Sequence, residues 1–401
     1  VSAILVLVLL LVLSYAGILF GSGRTMRGAG LPSGVEYVAL GFVLGPQVFG
    51  VLGHGLVTSF EPLVEVALGW IALVIGLDFG RSDDRRVKLG SAALGLLSGA
   101  LTAGAVAAAV WFYVGHFVHQ PSGVDRVLLA GGTGVACAET TRYAIRWVAE
   151  RHAASGPLTR MLTDFAQTDD LVPLLAMAAL FSLAPVTIAR VGLTPAAWAG
   201  LTIGFGIVLG AMTAVHIGRE LRTDRTWGVL TGMSVLGLGV AARLGLSMLT
   251  VLFFMGVTTA GLSRHRAALR AMVAPLERPI LLPALVLAGA HLDFRATPAL
   301  PAILAVVLFA RMVAKLAFGA ALAIPIKSSP LLGAGLLSSG ALSISVGLAF
   351  AIRFPGPVGD SVLAAACVSC VVGELFGPMA LRYVLRGAGE IALAPPETAR
   401  P

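Results

Sequence analysis

Two adjacent aspartates, Asp169 and Asp170, interrupt the stretch DFAQTDDLVPLLAMA (164–178), which otherwise reads as an apolar helix. Carboxylate oxygens take up protons and ligate hard cations, so the pair offers a place for either. In a membrane the pair is expensive, since an unpaired carboxylate costs at least ~3 kcal/mol at the bilayer centre. A single Ser or Asn would fix helix packing at less cost, so two acids at this depth point to function. Asp164 adds a third acid five residues earlier.

A counter-charge is visible elsewhere. Of the 28 basic residues only three are Lys: Lys88 and Lys327 in loops, and Lys315 deep inside LFARMVAKLAFGA. An ammonium can give up its proton when desolvated and a guanidinium practically cannot, so Lys315 is a pointed choice in an Arg-rich chain. The alternative is a side chain that snorkels to the interface, and its distance from either end of the run counts against that. Arg311, one turn earlier, is expected to pair with another acid or to reach toward the interface.

The surrounding elements are membrane spans. Hydrophobic residues make up 57% of the 401 and charged residues 12%, with mean hydropathy +0.93. A soluble domain carries about twice that charge. Apolar runs of about 20 residues recur from end to end, each long enough to cross a ~30 Å core. The net charge of +8 does not indicate nucleic acid, because the Arg residues are scattered through short loops and form no basic domain. The first run, 1–20, lacks a basic leader and a cleavage site, and reads as a retained span. Cys367 and Cys370 form C-V-S-C, but no second pair completes a zinc site, so both read as small buried hydrophobes.

Turn and charge signals divide the chain into about 13 spans, expected at 2–20, 35–52, 58–80, 89–115, 127–149, 159–184, 194–217, 226–242, 245–263, 279–292, 298–325, 330–353 and 361–385. Loops after odd-numbered spans hold most of the Arg and Lys. The positive-inside bias therefore puts those loops and the carboxyl end in the cytoplasm and the amino terminus outside. The fifth span carries CAETTRYA (137–144) and the sixth the Asp pair. Seven spans later, the twelfth carries LSSGALSIS (337–345) and the thirteenth Glu374. An odd offset makes the halves inverted repeats, with helices broken near mid-membrane. Unwound backbone survives there only around a cavity or buried in protein. Its carbonyls, with the hydroxyls of Thr140, Thr141, Ser339 and Ser343, are oxygen ligands for a small cation.

On these residues the chain resembles the monovalent cation:proton antiporter superfamily. It is most similar to sodium/proton antiporters of the paired-aspartate type and to the related potassium-efflux antiporters. The likeness includes GLPSGVEYVALGFVLGPQVFG, ALGWIALVIGLDFG, the Asp-Asp span, LERPILLPALVLAGAHLDF, the Lys315 span and LSSGALSISVGLAFA. It implies an all-α polytopic fold of 13 helices in two inverted six-helix repeats with crossed broken helices, usually dimeric. The transmembrane domain would be 1–386. Its scaffold would be 1–80 and 226–292, its mobile core 89–184 and 298–385, and 194–217 a linker helix, with 387–401 a short cytoplasmic tail. By that resemblance Asp170 would be the main cation and proton carrier and Asp169 the partner of Lys315, with Na⁺ bound at the two acids. Glu139 departs from the pattern, where many relatives have Thr or Ser. It is expected to pair with Arg142 at i,i+3, the alternative being that it joins the ion site. The tail is too short for a nucleotide-binding regulatory domain, which disfavours a ligand-gated potassium-efflux protein.

The expected function is exchange of a monovalent cation, Na⁺ before K⁺ or Li⁺, for protons across the inner membrane, without a cofactor. Competing classes fare worse. A sodium-coupled symporter would need a substrate pocket beside this combination of charges. Adjacent Asp residues on one helix point roughly 100° apart and cannot share one catalytic water as an aspartic protease requires. The H-E-x-x-H of a zinc protease is missing.

Overall fold

In hydrocarbon every backbone N–H and C=O must pair within its own segment, so apolar runs rich in Ala, Leu, Val and Gly become helices. The structure, a computed structural model, describes residues 34–82, 85–118, 123–185, 192–218, 223–295, 297–325 and 328–391. Among these the chain forms fifteen α-helices, one 3₁₀ segment and a two-residue ladder pairing Arg81–Ser82 with Arg85–Arg86. The helices are α1 (Val35–Leu44), α2 (His54–Ser59), α3 (Glu61–Asp78), α4 (Leu89–Phe117), α5 (Gly123–Ala136), α6 (Arg142–His152), α7 (Pro157–Thr168) and α8 (Leu171–Ser182). They continue with α9 (Pro195–Ile217), α10 (Thr223–Leu244), α11 (Met248–Leu262), α12 (Arg266–His291) and α13 (Leu300–Ala323). The 3₁₀ segment Pro330–Leu336 follows, then α14 (Ala341–Arg353) and α15 (Pro357–Gly387).

Among the described residues six helices are long and apolar enough to cross a membrane, or seven if the 3₁₀ segment and α14, bent by 57°, count as one span. Several expected spans are instead pairs of shorter helices: α5 with α6, and α7 with α8. The first expected span, 2–20, lies outside the described residues. One boundary was misread from sequence. The tenth span, expected at 279–292, belongs to a helix that begins at Arg266 and runs through Pro275, Pro279 and Pro283. Proline stops a helix in water chiefly by losing an N–H bond and crowding the preceding turn. Here the three are spaced four apart and so stack near one face, where neighbouring helices absorb the defects.

The helices sort by packing. Helices α1, α3, α9, α11 and α12 pack on one another, while α4, α5, α7, α13, the 3₁₀ segment, α14 and α15 form a second set. Small residues set the closest approaches, as van der Waals packing in a membrane requires. In α4, Gly95 and Gly99 lie one turn apart against α7. A Cβ at Gly99 would stand 2.8 Å from Asp169 Cβ, and one at Gly95 would stand 2.8 Å from Phe165 Cα. At the far end of the chain Glu390 folds back onto the first turn of α7. Its carboxylate accepts from the amides of Leu158 (2.6 Å) and Thr159 (2.8 Å) and from Thr159 Oγ1 (2.6 Å).

Gly99→Ala should therefore overpack the α4–α7 contact and cost about 1–3 kcal/mol. Gly104→Ala, on the same helix with nothing within 4 Å, should be neutral or stabilising by up to ~1 kcal/mol. Thermal unfolding of the two variants in detergent separates them, and equal melting temperatures would contradict the packing argument.

Candidate ion-binding site

Two breaks in the helices meet at one point. Between α5 and α6 the residues Cys137–Thr141 leave the helix, Thr141 adopting extended backbone. Between the 3₁₀ segment and α14 the residues Leu337–Gly340 do the same, Gly340 also being extended. Each break supplies what the other lacks. The Thr141 amide donates to Ser338 O (3.1 Å), and Thr140 Oγ1 donates to Leu336 O (3.3 Å). Gly340 is needed at the crossing, because a Cβ there would stand 2.5 Å from Thr141 Oγ1 and 2.6 Å from Thr141 Cβ.

The remaining freed carbonyls carry partial negative charge and face two buried cations from α13. Arg311 donates Nε to Cys137 O (2.9 Å), Nη1 to Leu337 O (2.7 Å), and Nη2 to Glu139 O (3.2 Å) and Ser339 Oγ (2.7 Å). It therefore binds both breaks at once, where an acid partner or the interface had been expected. Lys315, fully buried, donates to Ala138 O and Thr140 Oγ1, both at 2.7 Å, and lies 3.4 Å from Asp169 Oδ2. The first turn of α14 has the opposite polarity and takes a carboxylate. Glu139 Oε2 accepts from Ser343 N (2.6 Å) and Ser343 Oγ (2.7 Å). An acid at a helix N-terminus is favourable for the same reason that cations suit the C-terminal ends.

This corrects the expected Glu139–Arg142 pair. Spacing of i,i+3 brings side chains together only on a continuous helix, and the chain is broken between the two. Arg142 turns instead toward Asp78 at the end of α3, with Nη1 3.8 Å from Oδ2.

The Asp pair sits at a third discontinuity, between α7 and α8. Pro173 has no N–H for the carbonyl of Asp169, and Val172 N supplies a tighter bond to that carbonyl (3.0 Å). Asp169 and Asp170 are 1% and 4% exposed. Asp169 Oδ1 is buried with no hydrogen-bond partner. Among the described residues, no hydrogen bond or ion pair reaches the Asp170 carboxylate. Asp164 on α7 and Glu374 on α15 are both 2% exposed. The structure thus gathers Asp169, Lys315, Thr140, Thr141, Glu139, Arg311, Ser339 and Ser343 at the crossing, and moves Arg142 to its edge.

One cluster escaped the sequence reading. Asp78 Oδ1 accepts from Arg270 Nε (2.7 Å), Arg270 Nη1 lies 3.4 Å from Glu277 Oε2, and Tyr143 Oη donates to Glu277 Oε1. It joins α3 and α12 to α6 beside a cavity of about 890 Å³ whose wall includes Asp78, Arg142, Arg146, Thr159 and Arg270. Asp78 was visible as a lone acid closing the apolar run LVIGLD, but nothing in one sequence told its partners.

The capping role of Glu139 is testable. Glu139→Ala leaves the buried Ser343 N–H without an acceptor and should cost about 1–3 kcal/mol, whereas Glu139→Gln retains an amide oxygen there and should cost less. Melting temperatures in that order, with Gln above Ala, are the expected result.

Comparison with known proteins gives the family and the fold. Residues 7–386 match the family model described as sodium/hydrogen exchanger, transmembrane. The fold is similar to that of the sodium proton antiporter MjNhaP1 from Methanocaldococcus jannaschii at pH 8. The TM-score is 0.70 and the identity 14%, over 96% of this chain and 98% of that one. An electron-microscopy map of the same antiporter gives TM-score 0.70 and identity 15%, over 98% and 99% of the two chains. No curated protein matches at the level of sequence. The chain is therefore a multi-pass membrane transporter, not an enzyme, and it belongs to the sodium/hydrogen exchanger family of cation/proton antiporters.

Proposed function

We propose that this chain exchanges Na⁺ for protons at Asp170, by moving one set of helices against the other. The observation that carries this reading is the charge balance at the crossing. Three buried carboxylates, Glu139, Asp169 and Asp170, face two buried cations, Arg311 and Lys315. Glu139 is bound by Ser343 and Asp169 by Lys315, which leaves Asp170 without a fixed bonding partner. An ionised carboxylate at that depth is costly, so it is neutralised by a proton or by a cation. Both neutral states can cross and the empty ionised one cannot; that exclusion is the coupling. Thr140 and Thr141 would lend oxygen ligands to the cation.

Lys315 is the second proton carrier in this reading. A cation shared with Asp169 would displace the ammonium, which could then release a proton and make the exchange electrogenic. Asp164, Ser339 and Glu374 are accessory. The scaffold comprises 1–80 and 226–292 and forms the dimer contact. The core comprises 89–184 and 298–385 and moves as an elevator, with 194–217 as the link between the inverted repeats. Support for this division comes from the two packing sets of helices and from the family. The protein would sit in the inner membrane with its amino terminus outside and its carboxyl end in the cytoplasm, as its loop charges indicate. Sodium is named as the cation because the family and the similar antiporter are described by it.

The test is cation-driven proton flux in proteoliposomes over Na⁺, Li⁺ and K⁺. Asp170→Asn should fold normally and reduce Na⁺-driven flux to that of empty liposomes; normal flux through the variant would end this reading.

The second proton carrier has its own test. Lys315→Gln and Lys315→Arg should retain some exchange while losing its response to an imposed membrane potential. Gln, which strands Asp169, should also be less stable than Arg, by about 3 kcal/mol. Voltage sensitivity equal to wild type in Lys315→Gln would make the lysine purely structural.

A further inference from the structure

The cavity beside α6 carries a charge that does not suit a cationic cargo. Among the described residues five arginines line its wall: Arg142 and Arg146 of α6, Arg160 of α7, and Arg266 and Arg270 of α12. The acids on the described wall are Asp78 and Glu150. Glu277 and Glu390 bond to wall residues without lining it, and positive charge stays in excess even with both counted. Arg142 and Arg146 stand at i,i+4 on one helix, as do Arg266 and Arg270 on another, a spacing at which like charges repel. One carboxylate draws the two pairs together, since Asp78 lies 2.7 Å from Arg270 and 3.8 Å from Arg142. The guanidinium groups are within reach of a ligand. The side chains of Arg142 and Arg270 are 24% and 30% exposed, and Arg146 and Arg160 are exposed outright.

A concave wall of one sign focuses its field, so this cavity repels metal cations and draws in anions. Its volume of about 890 Å³ lies within the roughly 300–1,000 Å³ typical of small-molecule sites. Guanidinium forks match the oxygens of phosphate in pairs, which a point charge such as an ammonium does not. We propose that this cavity is a binding site for a phosphate-bearing anion, held by guanidinium groups on both sides of the boundary between the two sets of helices. Helices α3 and α12 pack in the first set, while α6 packs on α7 and α15 of the second. A ligand gripped from both sides opposes movement of one set against the other, so the bound anion inhibits exchange. That consequence rests on the moving-helix reading above; the binding itself does not. The phosphate has two sources, a soluble phosphate compound or the headgroup of an anionic lipid.

The test uses the full chain in phosphatidylcholine nanodiscs at constant ionic strength. It is titrated with pyrophosphate, with ATP and, in parallel discs, with rising phosphatidylglycerol, and the melting temperature is read. A saturable rise with pyrophosphate or ATP supports the site with a soluble ligand. A rise with phosphatidylglycerol alone supports it with a lipid headgroup. Arg146→Gln and Arg160→Gln should each raise the half-saturating amount about tenfold, the size of one charge-assisted contact. Arg146→Lys, which keeps the charge and loses the fork, should fall between Arg146→Gln and wild type. Arg243, exposed on α10 and absent from the wall, is the control, and Arg243→Gln should bind as wild type does. No saturable rise with any of the three probes overturns the proposal, and so does an equal loss of binding in Arg243→Gln. Na⁺-driven flux in proteoliposomes should fall as the anion saturates; unchanged flux with the anion bound overturns the inhibition. Asp170→Asn separates the site from the transport reading, because Asp170 is not on the wall and this variant should bind the anion normally. If that variant also transports normally, the carrier falls and the anion site stands.

Discussion

A fully buried ammonium is the constraint from which the rest of this architecture follows. Lys315 has exchanged water for one carbonyl, one hydroxyl and one carboxylate, and a charge at that depth is tolerable only with such a shell. An intact helix has no carbonyl to spare, so α5 must end where the ammonium needs one. Ending it leaves more carbonyls bare, which calls for a second cation, Arg311, one turn along α13. Bare amides remain as well, and these are met by a second interrupted segment crossing the first. Most polar groups at the crossing thus satisfy one another, and removing one of the bonded groups strands its neighbours.

Such a shell also explains why helices beside it are unusually close. Carbonyls, hydroxyls and carboxylates can converge on one nitrogen only if their backbones approach without side chains between them. Gly340 does this where the two breaks touch, and Gly99 does it where α4 meets Asp169. The contrast with Asp170 is informative. Asp169 is tied into the shell by the ammonium, while its neighbour, turned about 100° away on the same chain, is left out of it. Adjacent placement is therefore a means of giving two identical acids different surroundings.

The sequence carried the fold class and most of the residues that meet at the candidate site, for a physical reason. Charges in an apolar run are so costly that they are rare, and each one stands out: the Asp pair, Lys315, Arg311 and Glu139 were all found this way. Partnerships were harder to read. Arg311 was expected to seek an acid, and it took carbonyls that exist only because two distant helices break at the same place. Glu139 was paired with Arg142 on helical spacing, and the break between them voids that spacing. The start of α12 was missed because prolines that end a helix in water are tolerated in a membrane. Asp78 closes α3, and Arg270 and Glu277 fall before the expected start of the tenth span, where charge is ordinary, so nothing marked them.

The fold-back of Glu390 fixes how the carboxyl end can be handled in practice. Its carboxylate serves as the cap that α7 lacks locally, Gly156 having no side chain to offer. The last helix is thereby stapled to the helix that presents the Asp pair, although 220 residues of chain separate Asp170 from Glu390. Affinity tags, reporter fusions and trimmed versions of the chain are usually joined at this end as though it were inert. Cut before Glu390, the chain would expose two amides at the start of α7 and uncouple the two helices. A join placed after Ile391 keeps the staple and leaves the transport domain as it is.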